Sequence, residues 1–251
     1  MEKIEEIQYH IKVKRGDVGR YVLLPGDPGR CESIAAYFDE AHFVSFNREH
    51  KIYTGSLDGE MVSVVSTGMG CPSTAIALEE LIKVGADTFI RVGTSGAMQP
   101  EMQVGDIAII SAAIRDEGTS RQYLPIEFPA VADLEVTNAL IESSKKLGYR
   151  NFVGVSHTKD SFYSEVETDR MPMADYLHSR WNAWVAGGSI CSEMEASVIF
   201  ILSGIYRTRA GAVTLIIGSD IETLKQKHDP DAMIRVAVDA IRALIKKDKK
   251  G

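Results

Sequence analysis

Five short apolar runs, rich in β-branched residues and bounded by Gly, Pro or Asp, constrain this chain more than any other feature. They are Tyr21–Leu24, Met61–Ser66, Thr88–Val92, Asp106–Ser111 and Ala212–Ile217. Runs of this kind read as strands buried on both faces. Between them, apolar residues recur at helical spacing, as with Ile76, Leu78, Leu81 and Ile82 in Ser73–Val84. Leu134–Leu147, Met194–Tyr206 and Asp231–Ile245 behave similarly, and Pro230 suits the start of the last helix. Strands alternating with helices predict an α/β chain: a mainly parallel, twisted central sheet flanked by helices. Ligands of such sheets bind beyond the carboxyl ends of the strands, so the turns there are the places to look for chemistry.

The chain has 251 residues, 45% of them hydrophobic, and no low-complexity or Ser/Pro-rich tract that would mark a boundary. One domain over residues 1–251 is the expectation. The formal net charge of -7 gives no general attraction for nucleic acid, which needs a basic surface. Lys246, Lys247, Lys249 and Lys250 read as a solvated helix end. Cys31, Cys71 and Cys191 have no CxxC spacing and fit buried free thiols in a reducing compartment. The charged start Met-Glu-Lys-Ile-Glu-Glu has no apolar run behind it. No signal peptide or membrane span is visible, and a cytoplasmic location is expected.

Four strand-end segments could hold chemistry. In Leu24-Pro-Gly-Asp-Pro-Gly-Arg30, Gly26 and Gly29 let backbone approach an anion, and Arg30 adds a fixed charge; alone, an ordinary turn with a surface arginine explains it as well. In Arg91-Val-Gly-Thr-Ser-Gly96 an arginine lies inside a buried run, which is costly unless it meets an anion or a structural partner. Two arginine-plus-glycine segments together favour a phosphate or sulfate site, and neither has Walker or GxGxxG spacing. In Ser192-Glu-Met-Glu195 an acidic pair opens an apolar helix, either for the helix dipole or to grip the vicinal hydroxyls of a sugar. Ile217-Gly-Ser-Asp220 ends a run in an acid, which reads as a cap or as a proton donor to a leaving group.

Taken in order, these segments resemble the nucleoside phosphorylase family, which contains uridine phosphorylases and hexameric purine nucleoside phosphorylases. The resemblance runs nearly end to end. Its most specific parts are the PGDPGR turn, RVGTSGAMQPEMQVGD (Arg91–Asp106), LPIEFPAVAD (Leu124–Asp133), DSFY (Asp160–Tyr163) and SEMEA (Ser192–Ala196). The EFPAVAD stretch and the Gly-Ala-Met-Gln-Pro run are most similar to the uridine branch.

The resemblance implies phosphorolysis of a nucleoside, uridine first, by phosphate as co-substrate. Gly26, Arg30, Arg91 and Thr94 would hold phosphate, with Arg48 reaching the phosphate of a neighbouring subunit. His10 would cross the same interface to the ribose 5′-hydroxyl; Glu195, Met194 and Glu193 would meet ribose, and Phe162 would pack on sugar and base. Thr94 would also face the ribose. Arg91, Glu195 and Asp220 would carry the chemistry. A homodimer is then the minimum unit, and three dimers make the family's usual hexamer. No cofactor or metal is required, beyond a monovalent cation at the dimer interface held by residues matching Glu49 and Ser73. Replacing Arg91 by Ala is expected to abolish phosphorolysis and leave the fold largely intact.

Base choice is where the sequence departs from the family. Val166 and Thr168 stand where uridine phosphorylases place a Gln and an Arg that read uracil, and Arg170 is the nearest substitute. Ser219-Asp220 resembles the purine branch, whose Asp protonates purine N7 with help from an arginine; Met233 and Arg235 lie near that arginine's position. Purine nucleosides are therefore the alternative substrates. A nucleosidase that uses water would lack Arg30, Arg48 and Arg91, and a non-catalytic binder would not need the acids.

Overall fold

The structure, a computed structural model, describes residues 6–218, 221–224 and 228–250. The chain runs β1 (Tyr21–Leu24), α1 (Arg30–Ala35), β2 (Asp39–Asn47), β3 (His50–Leu57), β4 (Glu60–Val65), α2 (Cys71–Lys83), β5 (Thr88–Ala97) and β6 (Ile107–Asp116). It continues with β7 (Ala130–Val131), α3 (Leu134–Lys146), β8 (Asn151–Lys159), α4 (Tyr163–Val166), α5 (Ala174–Ala186) and β9 (Cys191–Glu193). The last elements are α6 (Ala196–Tyr206), β10 (Arg209–Gly218), α7 (Ile221–Leu224) and α8 (Asp231–Asp248).

All five apolar runs are strands, and their lack of polar alternation has a direct cause: both faces are buried. In β1, Val22 and Leu24 enter one apolar cluster while Tyr21 and Leu23 enter another. β6 divides in the same way, Ala108 and Ile110 against Ile107 and Ile109, as a two-residue side-chain period requires. The first cluster takes Leu78 and Leu81 of α2 with Val198 to Leu202 of α6; the second takes Ile34 of α1, Leu140 of α3 and Ile241, Leu244 and Ile245 of α8. Helices therefore cover both faces, and α3 starts on a cap: the Asp133 carboxylate accepts the Val136 amide at 2.9 Å.

The sheet is mixed. β1 pairs in parallel with β4 and β5, β5 with β10, β6 with β8 and β8 with β9. β10–β6, β5–β9, β6–β7 and the hairpins β2–β3 and β3–β4 are antiparallel. Because β10 bonds both β5 and β6, the strands β5, β10, β6, β8 and β9 close into a ring, with β1, β4, β3 and β2 extending from β5. The antiparallel wing escapes a periodicity reading because β2 is exposed over most of its length and offers no apolar run.

Closure lengthens the strands. The segment Arg91–Gly96 is not a turn after the strand but its second half, since β5 stays paired with β10 as far as Gly96 and with β9 at Gly96 and Ala97. The strands β1, β5, β8 and β10 bring their carboxyl-terminal residues to one cavity, which places the site where α/β sheets ordinarily bind ligands.

Candidate active site

That cavity has a volume of about 530 Å3. Its walls are the Gly26–Arg30 turn after β1, Gly68, Met69 and Ser73 around the start of α2, and the Arg91–Ala97 half of β5. The far side is Lys159 of β8, Phe162 to Val166, Trp181 of α5, the Ser192–Glu195 segment and the end of β10.

Arg91 forms the floor. Its side chain is buried, Nε donates to Glu193 Oε2 at 2.8 Å and Nη2 lies 2.6 Å from Glu195 Oε2. A guanidinium can fold back along a strand in this way only if the residue two places on is small. A Cβ at Gly93 would stand 2.7 Å from Arg91 Cζ, so this glycine makes room for the arginine. Burial works against the charge on Arg91, but Glu195 and Glu193 outweigh it and raise its pKa. Arg91 Nη1 makes no hydrogen bond among the described residues, and a donor is left for a ligand.

The two glutamates differ. Both oxygens of Glu193 are committed: Oε2 accepts from Arg91 and from the Glu195 and Ala196 amides at 2.8 Å, and Oε1 accepts from Thr158 Oγ1 and, at 3.4 Å, from Ser156 Oγ. Glu193 thus satisfies the free amides at the start of α6 and holds Arg91, and no acceptor remains for a sugar. Glu195 accepts the Gly70 amide at 2.6 Å on Oε1 and keeps further lone pairs. Gly70 has a φ of 89°, the left-handed region, which aims its N–H at this carboxylate. Burial raises the Glu195 pKa and Glu193 adds to it, against the pull of Arg91.

Arg30 is half-buried on the same wall and makes no ion pair among the described residues. Burial lowers its pKa, Asp27 opposes this, and Arg91 adds to the lowering. A partly desolvated guanidinium that has no ion pair among the described residues and lies near a second one has the chemistry to attract an anion. Thr94 lines the cavity as well, and its hydroxyl makes no hydrogen bond among the described residues. Beside the mouth, Ser73 Oγ donates to Glu49 Oε1 at 2.5 Å and holds that carboxyl below its usual range.

The other end of the cavity holds polar residues that motif reasoning missed. Lys159, buried at the end of β8, places Nζ 2.8 Å from Glu165 Oε2 and donates to Ser192 Oγ at 2.7 Å. Ser192 Oγ lies 2.6 Å from Glu165 Oε2, and His157 Nδ1 lies 3.5 Å from the same oxygen. On its other edge His157 Nε2 meets Asp116 at 3.0 Å, and Asp116 accepts from Arg180 at 2.5 Å. Trp184 packs 4.0 Å from the His157 ring, and Trp181 closes the cavity wall. The available signal was the run His157-Thr-Lys159, three polar residues ending a strand that must be buried.

Gly26, Arg30, Glu49, Ser73, Arg91, Thr94, Phe162, Glu193, Met194 and Glu195 all line the cavity. His10, Arg48 and Arg170 do not. Arg170 is exposed, pairs with Glu167 and stacks over Tyr163 at 5.5 Å, because the 3-10 turn Thr168–Arg170 carries it outward. His10 is tied to Glu80 of α2, Nδ1 to Oε1 at 2.7 Å, and Arg48 is exposed at the β2–β3 turn with a φ of 55°. The Asn47 side chain donates to the His10 carbonyl at 2.6 Å, so the two segments share one surface. Asp220 lies outside the described residues. Among the described residues no cluster of His, Cys, Asp and Glu is suited to a metal, and no helix is long and apolar enough to cross a membrane.

A model of the phosphorylase superfamily matches residues 20–247. The chain is 48% identical to a uridine phosphorylase of Treponema pallidum, over 97% of this chain and 96% of the relative. It is 45% identical to a uridine phosphorylase of Thermococcus kodakarensis, over 98% and 90%. A guanosine phosphorylase of Halorubrum lacusprofundi is 37% identical over 94% and 99%.

Proposed function

This chain belongs to the phosphorylase superfamily, and we propose that it is a nucleoside phosphorylase converting uridine and phosphate into uracil and ribose 1-phosphate. The observation that carries this reading is the joint floor of the cavity. Arg30, Arg91 Nη1 and the Thr94 hydroxyl offer donors that are unsatisfied among the described residues, and the Glu195 carboxylate stands beside them with acceptor capacity for sugar hydroxyls.

Phosphate held by Arg30, Arg91 and Thr94 attacks the anomeric carbon. The carbon–nitrogen bond breaks as the carbon–oxygen bond forms, and the base leaves with the bonding electrons. The fixed dianion faces the positive charge that develops on the sugar, so catalysis is by proximity and electrostatics. Glu195 anchors the 2′ and 3′ hydroxyls while the ring distorts, and Phe162 covers sugar and base.

In this reading the assembly is a homodimer at least, with three dimers forming a hexamer. The surface shared by His10 and Arg48 then reaches a neighbour's cavity. Ile7, Tyr9 and Phe46 are exposed on the segments that carry it, apolar side chains that suit an interface. No organic cofactor takes part. Glu49, Ser73 and the Thr67 carbonyl, whose oxygen lies 2.5 Å from Ser73 Oγ, form an all-oxygen set with one negative charge, which suits a monovalent cation. Three buried free thiols fit a reducing, cytoplasmic setting.

The test is product identity. Equal amounts of uracil and ribose 1-phosphate are expected from uridine with phosphate, whereas free ribose would mark a nucleosidase and no release a binding protein.

A further inference from the structure

The base end of the cavity lacks obvious readers. Val166 is apolar, and the single proton of the Thr168 hydroxyl is taken up between the Ser164 and Glu165 carbonyls, 2.9 and 2.8 Å away. Among the described residues the charged groups on that wall are Lys159 and Glu165, which form one bonded unit with Ser192. Glu165 uses Oε2 for Lys159 and Ser192. Oε1 makes no hydrogen bond among the described residues and faces Gly96, 3.9 Å from where a Cβ there would stand. Lys159 spends two of its three N–H bonds on Glu165 and Ser192, and one remains. A free acceptor and a free donor therefore stand on one bonded unit, in a cavity that Phe162 and Trp181 also line, with Lys159 Nζ 6.0 Å from the centre of the Phe162 ring.

We propose that Glu165 and Lys159 are the base-reading pair of this site: Glu165 Oε1 accepts a ring N–H and Lys159 donates to the adjacent ring carbonyl. The edge they fit is an N–H flanked by a carbonyl oxygen, which uracil and 6-oxopurines present. Cytosine and adenine present a lone pair at that ring nitrogen, which the carboxylate repels. This assignment rests on the phosphorylase reading and deepens it.

The surroundings fix Glu165 in the required state. Burial would raise the Glu165 pKa, but His157, Lys159 and Ser192 outweigh it and hold the carboxyl below its usual range, so it stays an acceptor. His157 is itself held by Asp116, which Arg180 of α5 contacts. His157, Asp116 and Arg180 are positioning residues, and Glu165 and Lys159 are the groups that touch the base.

The experiment compares uridine, 3-methyluridine and cytidine at saturating phosphate, with the wild-type protein and Glu165→Gln. One hydrogen bond to a charged group corresponds to on the order of 10- to 100-fold in kcat/KM. The wild type is expected to disfavour 3-methyluridine and cytidine by at least that factor. Glu165→Gln is expected to lose it on uridine alone, with the KM for phosphate unchanged. Wild-type turnover of 3-methyluridine as fast as uridine, or an equal loss on all three substrates in the variant, would overturn the assignment. If no nucleoside is cleaved, the phosphorylase reading fails by itself. Calorimetry with free uracil and cytosine still decides the base reading: preference for uracil supports it, and equal or absent binding overturns it.

Discussion

Arg91 Nη2 stands 2.6 Å from Glu195 Oε2 at the floor of the cavity, and the residue proposed to bind phosphate positions the residue proposed to bind ribose. Glu193 holds the same guanidinium from its other edge. The triad carries one positive and two negative groups, all buried, so its members are not separable.

Arg91→Ala is therefore expected to damage more than catalysis. The sequence alone suggests a change the fold tolerates, but removing the guanidinium leaves two buried carboxylates uncompensated, which costs roughly 3–5 kcal/mol. Denaturant unfolding of the variant should show that loss alongside the loss of activity. Unchanged stability would mean that Glu193 and Glu195 find other partners.

Arg30 makes the complementary case. It has no ion pair among the described residues, so Arg30→Ala should leave the melting temperature of the phosphate-free protein nearly unchanged. The KM for phosphate should rise about 10-fold or more, since a charge-assisted contact is lost. The stabilisation that phosphate gives the wild type should shrink in step, because a ligand stabilises only through what it binds. An unaltered phosphate KM would remove Arg30 from the site.

The contrast between these arginines also marks what the sequence discloses. The strands buried on both faces were legible because an uninterrupted apolar run has few other uses, and the glycine-bounded arginines pointed to the cavity that both of them line. Gly93 clears space for Arg91, a relation between positions two apart on one strand face that a linear motif does not display. Glu193 and Glu195 looked equivalent because sequence does not say which carboxylate is already satisfied. Helix α5 was invisible since no residue of it is buried, and with it went Trp181, Trp184 and Arg180.

For Glu195 the expected signature lies in the substrate. Glu195→Gln should cost uridine on the order of 10- to 100-fold more in kcat/KM than 2′,3′-dideoxyuridine, which lacks both hydroxyls the carboxylate would grip. Equal losses on the two nucleosides would leave Glu195 as a support for Arg91 and Gly70 only.

The His157 cluster predicts a pH-dependent stability. Burial lowers the His157 pKa, but Asp116 and Glu165 outweigh it and leave it above the unfolded value of about 6.5. A raised folded pKa contributes stability that is full below about pH 6.5 and lost as the pH climbs through the folded value. Asp116 and Glu165 lie below their usual range despite burial, so their contribution fades only as the pH falls through those lower values. In urea unfolding, His157→Asn should reduce the stability difference between about pH 6 and about pH 8.5. A difference as large as that of the wild type would assign the dependence elsewhere.

The central claim is tested most directly by the initial rate of uracil release from uridine as phosphate is titrated from zero. A rate that starts at zero and saturates with phosphate, with Arg30→Ala shifted to higher concentration, is the predicted result. A finite rate without phosphate that the titration does not change would contradict it.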